Sequence, residues 1–166
     1  MSLQIRPARP ADAARLAEIY NPYVLETAIT FEVEPVDEAN RRAWIAGHSE
    51  TGRWRLLVGE ESGRVVGWAN SRRFHDRKAY EPTIETGIYL EAAAHGRGIG
   101  RALYGALFDA LAGEDVHRVI AGITLPNPAS LALHQRFGFR EVGVLSEVGR
   151  KLGRWWDVLW MERRSG

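Results

Sequence analysis

One stretch constrains this chain more than any other. A strand-like run, Thr86-Gly87-Ile88-Tyr89-Leu90, leads into His95-Gly96-Arg97-Gly98-Ile99-Gly100-Arg101. Three glycines alternate in that loop. Beyond it, Ile99, Leu103, Ala106, Leu107 and Ala110 recur at helical spacing, so the loop opens a helix with a buried face. The first turn of a helix leaves backbone N–H groups unpaired, and the helix dipole adds positive charge there. Glycines let a ligand approach that backbone, which makes the unit a candidate cradle for a pyrophosphate. A dinucleotide fingerprint is excluded by the Gly-x-Gly-x-Gly spacing and by the 66 residues that follow Gly100. A Walker A loop is excluded because no Gly-Lys-Ser/Thr is present. A glycine-rich turn without a ligand stays open at this point.

The rest of the chain fits one domain, residues 1–166, with a substantial core. A strand is predicted at Leu3–Arg6, then a helix from Pro10 that Asn21-Pro22 interrupts. A second helix is predicted over Asp37–Ala46, with Ala43, Trp44 and Ala46 inward. Strands at Trp54–Glu60 and Val65–Phe74 flank a four-residue turn, and another follows at Thr83–Leu90. After the Gly98–Ala112 helix come a strand at Val116–Thr124, a helix at Asn127–Phe137 and strands at Glu141–Val148 and Trp155–Met161. Strands in series followed by α/β crossovers imply an α+β fold: a mixed, mostly antiparallel sheet with helices on both faces.

Composition narrows the chemistry. Zero cysteines exclude a thiolate nucleophile, an acyl-cysteine intermediate and thiolate metal sites. The balance of 22 basic and 21 acidic residues argues against a dedicated nucleic-acid binder. No apolar leader or membrane-length run is seen, so a cytoplasmic protein with no membrane partner is expected. His48, His75 and His117 lack metal-ligand spacing, so no metal is expected.

The glycine loop is similar to the Gln/Arg-x-x-Gly-x-Gly/Ala loop of the GNAT superfamily of acetyl-CoA-dependent N-acetyltransferases, with His95 departing from the first slot. Asn127-Pro128-Ala129-Ser130-Leu131-Ala132-Leu133-His134 through Gly138-Phe139 resembles a second family segment. Thr27–Glu32, Arg77–Tyr80, Glu85 and the tail Gly149-x-Lys151-x-Gly153-x-Trp155-x-Asp157 resemble the phosphinothricin/methionine sulfoximine acetyltransferase subfamily. The resemblance spans nearly the whole chain and implies a GNAT fold, acetyl-CoA as donor, a small amino-acid-like acceptor and a homodimer.

Acetyl transfer needs a base for the amine, a donor for the developing oxyanion and a proton for the leaving thiolate. Glu85, on a strand of small and apolar residues, is the candidate base. The resemblance implies that a bulge frees the N–H of Leu90 for the thioester oxygen, that Gly87 eases the bulge, and that pantetheine pairs along Ile88, Tyr89 and Leu90. It implies further that His95, Gly96, Arg97, Gly98, Ile99, Gly100 and Arg101 hold the diphosphate. His134 is the candidate acid, with Asn127 and Ser130 beside the cofactor. Asparagine also suits a helix N-cap, and the two roles are compatible. For the acceptor carboxylate the candidates are Arg77 or Lys78 with Tyr80, from a cluster that also holds Arg72 and Arg73. Phe31 and Glu32 are candidates for closing the pocket, and core packing explains Phe31 almost as well. Two rival readings remain: acetylation of a protein N-terminus or lysine, and a non-catalytic coenzyme A sensor.

Overall fold

The computed structural model describes residues 2–166. The order is β1 (Leu3–Pro7), α1 (Ala13–Glu26), α2 (Glu38–Ala46), β2 (Leu56–Glu61), β3 (Arg64–Arg73) and β4 (Thr83–Leu90). Then follow α3 (Ile99–Leu111), β5 (Arg118–Thr124), α4 (Pro128–Arg136), β6 (Arg140–Lys151) and β7 (Arg154–Arg164). The strands form one seven-stranded sheet, β1-β2-β3-β4-β5-β7-β6. All neighbours are antiparallel except β4 and β5. The α+β architecture with a mixed, mostly antiparallel sheet is therefore as expected.

Two apolar cores flank the sheet. Ile99, Leu103, Tyr104, Leu107 and Leu111 of α3 pack with Leu57, Ile84, Val119 and Phe139. Leu16, Ile19, Tyr20 and Val24 of α1 pack with Ile45 of α2 and with Leu56, Val58 and Trp68. Each such aliphatic side chain contributes about 1.5–3 kcal/mol by leaving water. This burial also explains why α1 runs through Pro22, where the sequence suggests an interruption. An interior proline costs a helix about 3 kcal/mol. Apolar contacts on both sides of it offset that cost, and the Asn21 amide clamps the backbone N–H and C=O of Val36, each at 2.9 Å.

Three other expectations change. The turn between β2 and β3 has two residues, Ser62 and Gly63, both at positive φ (50° and 79°), as a tight hairpin requires. Leu152 and Gly153 repeat that geometry between β6 and β7 (52° and 76°). On α2 the buried residues are Arg41 and Ile45 rather than alanines.

Candidate active site

The parallel pairing of β4 with β5 covers only Thr83↔Arg118, Ile84↔Val119 and Glu85↔Ile120. Beyond Glu85 the strands part, and a cavity of about 720 Å³ opens between Thr86–Tyr89 and Ala121–Thr124. Against β3, by contrast, β4 keeps unbroken register from Arg73↔Ile84 to Gly67↔Leu90. The expected bulge in β4 is thus absent from that ladder; the splay frees the edge instead. Glu91 N–H bonds the Val66 carbonyl. Strand alternation therefore turns the N–H groups of Ile88 and Leu90 away from β3, toward the open edge. Gly87 has another use. It faces Asn70, and a Cβ there would lie 2.8 Å from the Asn70 amide oxygen.

The glycine loop sits where this edge ends. Gly96 and Gly98 both hold positive φ (71° and 79°), and a Cβ at either would meet no atom within 4 Å. Gly98 caps α3 without a side-chain bond, and the first main-chain bond of the helix is Ala102 N–H to the Gly98 carbonyl. The N–H groups of Ile99, Gly100 and Arg101 are therefore the unpaired first turn. These features fit a diphosphate. Arg101 is exposed there, while Arg97 is held by Glu61 at 2.9 Å. His95 lies 2.8 Å from the Tyr23 hydroxyl, which bonds the Leu90 carbonyl and ties α1 to the end of β4.

Glu85 lines the cavity at the point where the strands part, and its Oε1 accepts from Arg72 at 2.7 Å. Arg72 is thus the member of the basic cluster that reaches the cavity. Arg77, Lys78 and Tyr80 do not: they stand exposed on and beside a short 3₁₀ turn away from its walls. Phe31 does line the cavity, together with Glu32.

The tail motif explains how Phe31 is placed. A Cβ at Gly149 would fall within 2.3 Å of the Phe31 ring, so any larger residue there would displace that ring. Buried Lys151 donates to the Thr30 carbonyl at 2.7 Å and to the Tyr23 carbonyl at 3.3 Å, strapping the Thr27–Glu32 segment to β6. Burial pushes the Lys151 ammonium below its ordinary pKa, with Glu32 opposing. Asp157 accepts from Glu147 N–H at 2.7 Å, and the Trp156 indole donates to the Lys151 carbonyl.

On the opposite wall, Asn127 caps α4 by accepting from Ser130 N–H at 3.1 Å, and both residues line the cavity. His134 is buried. Its Nδ1 faces the Ser130 carbonyl at 2.7 Å, and its Nε2 faces the Tyr104 hydroxyl at 2.9 Å. A carbonyl only accepts, so the network puts the single proton of the neutral ring on Nδ1 and makes Nε2 an acceptor. Burial pushes the His134 pKa below its usual value, with the Ser130 bond opposing. In this arrangement His134 has no free proton to give. Tyr104 lines the cavity and donates its hydroxyl proton to His134 Nε2, its oxygen also lying 3.3 Å from Thr86 Oγ1; burial raises its pKa and keeps it protonated.

Sequence reasoning missed Tyr20, Arg41, Trp44, Trp68, Asn70 and Tyr104 as cavity residues. Their apolar bodies read as core, and most are core by burial. A polar residue in an inward-facing slot, as at Arg41 and Asn70, was the available signal.

Known proteins resemble this chain over nearly its whole length. The acetyltransferase (GNAT) domain profile matches residues 5–160. Phosphinothricin N-acetyltransferase of Streptomyces coelicolor is 50% identical over 163 residues, covering 97% of this chain and 95% of that protein. The L-methionine sulfoximine/L-methionine sulfone acetyltransferase of Salmonella typhimurium is 37% identical over 160 residues, covering 96% and 93%. Among solved structures, the acetyltransferase yncA of Salmonella typhimurium, with its cofactor acetyl-CoA, aligns with TM-score 0.95 and 36% identity, covering 100% of this chain and 95% of that one. The chain belongs to the GNAT family of acetyltransferases.

Proposed function

We propose that the protein transfers the acetyl group of acetyl-CoA to the α-amino group of a small amino-acid-like acceptor, with phosphinothricin and methionine sulfoximine as leading acceptors. The observation that carries this reading is the Glu85–Arg72 pair, set at the point where the open β4 edge meets a largely side-chain-lined cavity. Arg72 engages Oε1 of Glu85, leaving Oε2 to take a proton from the acceptor ammonium. The Arg72 guanidinium also suits the acceptor's carboxylate. The Leu90 N–H, on the open edge, donates to the thioester oxygen as negative charge develops there. Ile88, Tyr89 and Leu90 pair with the pantetheine arm as an added strand would, and the backbone from Gly96 to Arg101 holds the diphosphate. Asn127 and Ser130 form the far wall of that cleft. As the new C–N bond forms and the C–S bond breaks, the Tyr104 hydroxyl turns its proton from His134 Nε2 to the sulfur, and the proton that the nitrogen sheds on becoming an amide restores the hydroxyl. Tyr104 thus takes over the role first assigned to His134.

The acceptor is a small molecule in this reading, because Phe31 and Glu32 are strapped over the cavity by Lys151. Thiol release from acetyl-CoA should be fast with free amino acids or their phosphinate and sulfoximine analogues. A screen in which only basic peptides release thiol favours the protein-acetylating alternative, and tight acetyl-CoA binding with no release favours a sensor.

We further propose a cytoplasmic homodimer, the compartment being where acetyl-CoA is available. The edge strand β6 exposes Val142, Val144, Leu145 and Val148, and Trp155 of β7 is equally bare. Bare apolar side chains along a sheet-edge strand favour a second copy as their cover. Sedimentation should give twice the 18.6 kDa chain mass, and a monomer at micromolar concentration overturns the assignment.

A further inference from the structure

One buried cation in the cavity has no use in the chemistry above. Arg41, on α2, is 9% exposed and lines the cavity wall. Other arginines with little exposure are matched: Arg6 meets Asp12 and Glu60, Arg15 meets Glu91, Arg55 meets Glu114, and Arg163, which has no acid beside it, donates to the Phe137 carbonyl at 3.0 Å. Among the described residues, no carboxylate comes within ion-pair distance of Arg41. Its one side-chain hydrogen bond is to Asn40 at 3.3 Å, and its guanidinium rests over the rings of Tyr20 (4.6 Å) and Trp44 (4.7 Å). Glu32, the other acid on the cavity wall besides Glu85, attracts it without forming an ion pair. Burial pushes the Arg41 pKa down, with Tyr20, Glu32 and Tyr89 opposing. Stacking on two rings holds the guanidinium plane in place, yet it leaves in-plane N–H donors unmatched. An unmatched buried cation is costly.

Trp68 lines the same wall, and its indole N–H is buried without a hydrogen-bond partner. Two donor groups short of acceptors in one wall complement a ligand rich in oxygen acceptors. Their place also matters. Arg41 stacks on Tyr20, and the Tyr20 ring lies 5.1 Å from that of Tyr89, on the strand that carries Glu85. Arg41 therefore stands an aromatic ring away from the reacting end, where the side chain of an acceptor would terminate.

We propose that Arg41 is a specificity-determining residue for the far end of the acceptor. With the Trp68 N–H, its guanidinium receives the terminal oxygens of a phosphinate, sulfone or sulfoximine on a side chain of glutamate-like length. This rests on the amino-acid acetyltransferase reading above and goes beyond it in saying what selects the acceptor.

The test compares two acceptors that differ only in the terminal oxygens, methionine sulfone and methionine. Arg41→Met in the full chain should raise the KM for methionine sulfone and for phosphinothricin about tenfold or more, the usual scale for a lost charge-assisted bond. The KM values for methionine and for acetyl-CoA should stay as they are, so the preference for the sulfone collapses. Arg41→Lys, which keeps the charge and loses the planar fork, should lose part of the preference and carries the test if Arg41→Met does not fold. Equal losses on both acceptors mean that Arg41 only packs α2, and overturn the proposal. So does a wild-type protein with no preference for the sulfone. A wild-type protein that acetylates no amino acid sinks the parent reading instead, and the thiol-release screen shows that before any variant is made.

Discussion

The cleft, which is the part of the cavity that opens between β4 and β5 with the glycine loop beyond it, and the part under α1 and α2 meet at Glu85, yet they are built from different materials. The cleft is made of backbone: an unpaired strand edge from Ile88 to Leu90, two left-handed glycines and the free N–H groups of Ile99, Gly100 and Arg101. The part under α1 and α2 is made of side chains brought from separate elements, Tyr20, Phe31, Arg41, Trp68 and Arg72 among them. A backbone site recognises what donors in a row can hold, a diphosphate and an amide-bearing arm, and tolerates change in the side chains around it. A side-chain site can be retuned one residue at a time. The division suits an enzyme that keeps its acyl donor and varies its acceptor.

The sharpest way to break that division is at the junction. Glu85→Gln keeps the shape and the contact with Arg72 but removes the acceptor of the proton. Turnover should fall about a hundredfold or more, the usual contribution of a general base. Acetyl-CoA affinity, measured by titration, should not move, because the donor is held by backbone. Unchanged turnover removes Glu85 from the chemistry. A parallel loss of acetyl-CoA affinity means that the two regions are not separable in the way described.

The same difference in material decides what was legible in the sequence. Gly96, Gly98 and Gly100 are contiguous with a strand and a helix, so alternate glycines between two periodic runs announce the cleft directly. Asn127, which caps α4, and Ser130 and His134 on that helix stand out in the sequence through the family resemblance of the segment that holds them. The acceptor cavity has no such local signature. Arg41 and Trp68 are 27 positions apart and meet only because α2 packs over β3. Arg77 and Lys78 belong in the sequence to one cluster with Arg72, and only strand pairing shows that Arg72 lies directly opposite Glu85 across β3 and β4. The bulge expected in β4 fails for a related reason. Register belongs to the pair of strands, and the freed edge comes from β5 leaving β4, an event that neither strand's residues encode alone.

The smaller test addresses the cleft by itself. Gly98 sits at φ 79°, a conformation that a β-branched residue scarcely adopts, and nothing in the protein occupies the space where its Cβ would point. Gly98→Val therefore meets no clash with the chain; it strains the turn by about 1–3 kcal/mol and fills open space next to the first turn of α3. If the unpaired N–H groups of that turn hold the diphosphate, the KM for acetyl-CoA should rise about tenfold, which corresponds to some 1.4 kcal/mol. The KM of the amino-acid acceptor should be unchanged, since no wall of its cavity includes the loop. A variant that loses thermal stability but keeps its acetyl-CoA KM shows that the glycine only serves the turn, and the donor is then held by the β4 edge alone.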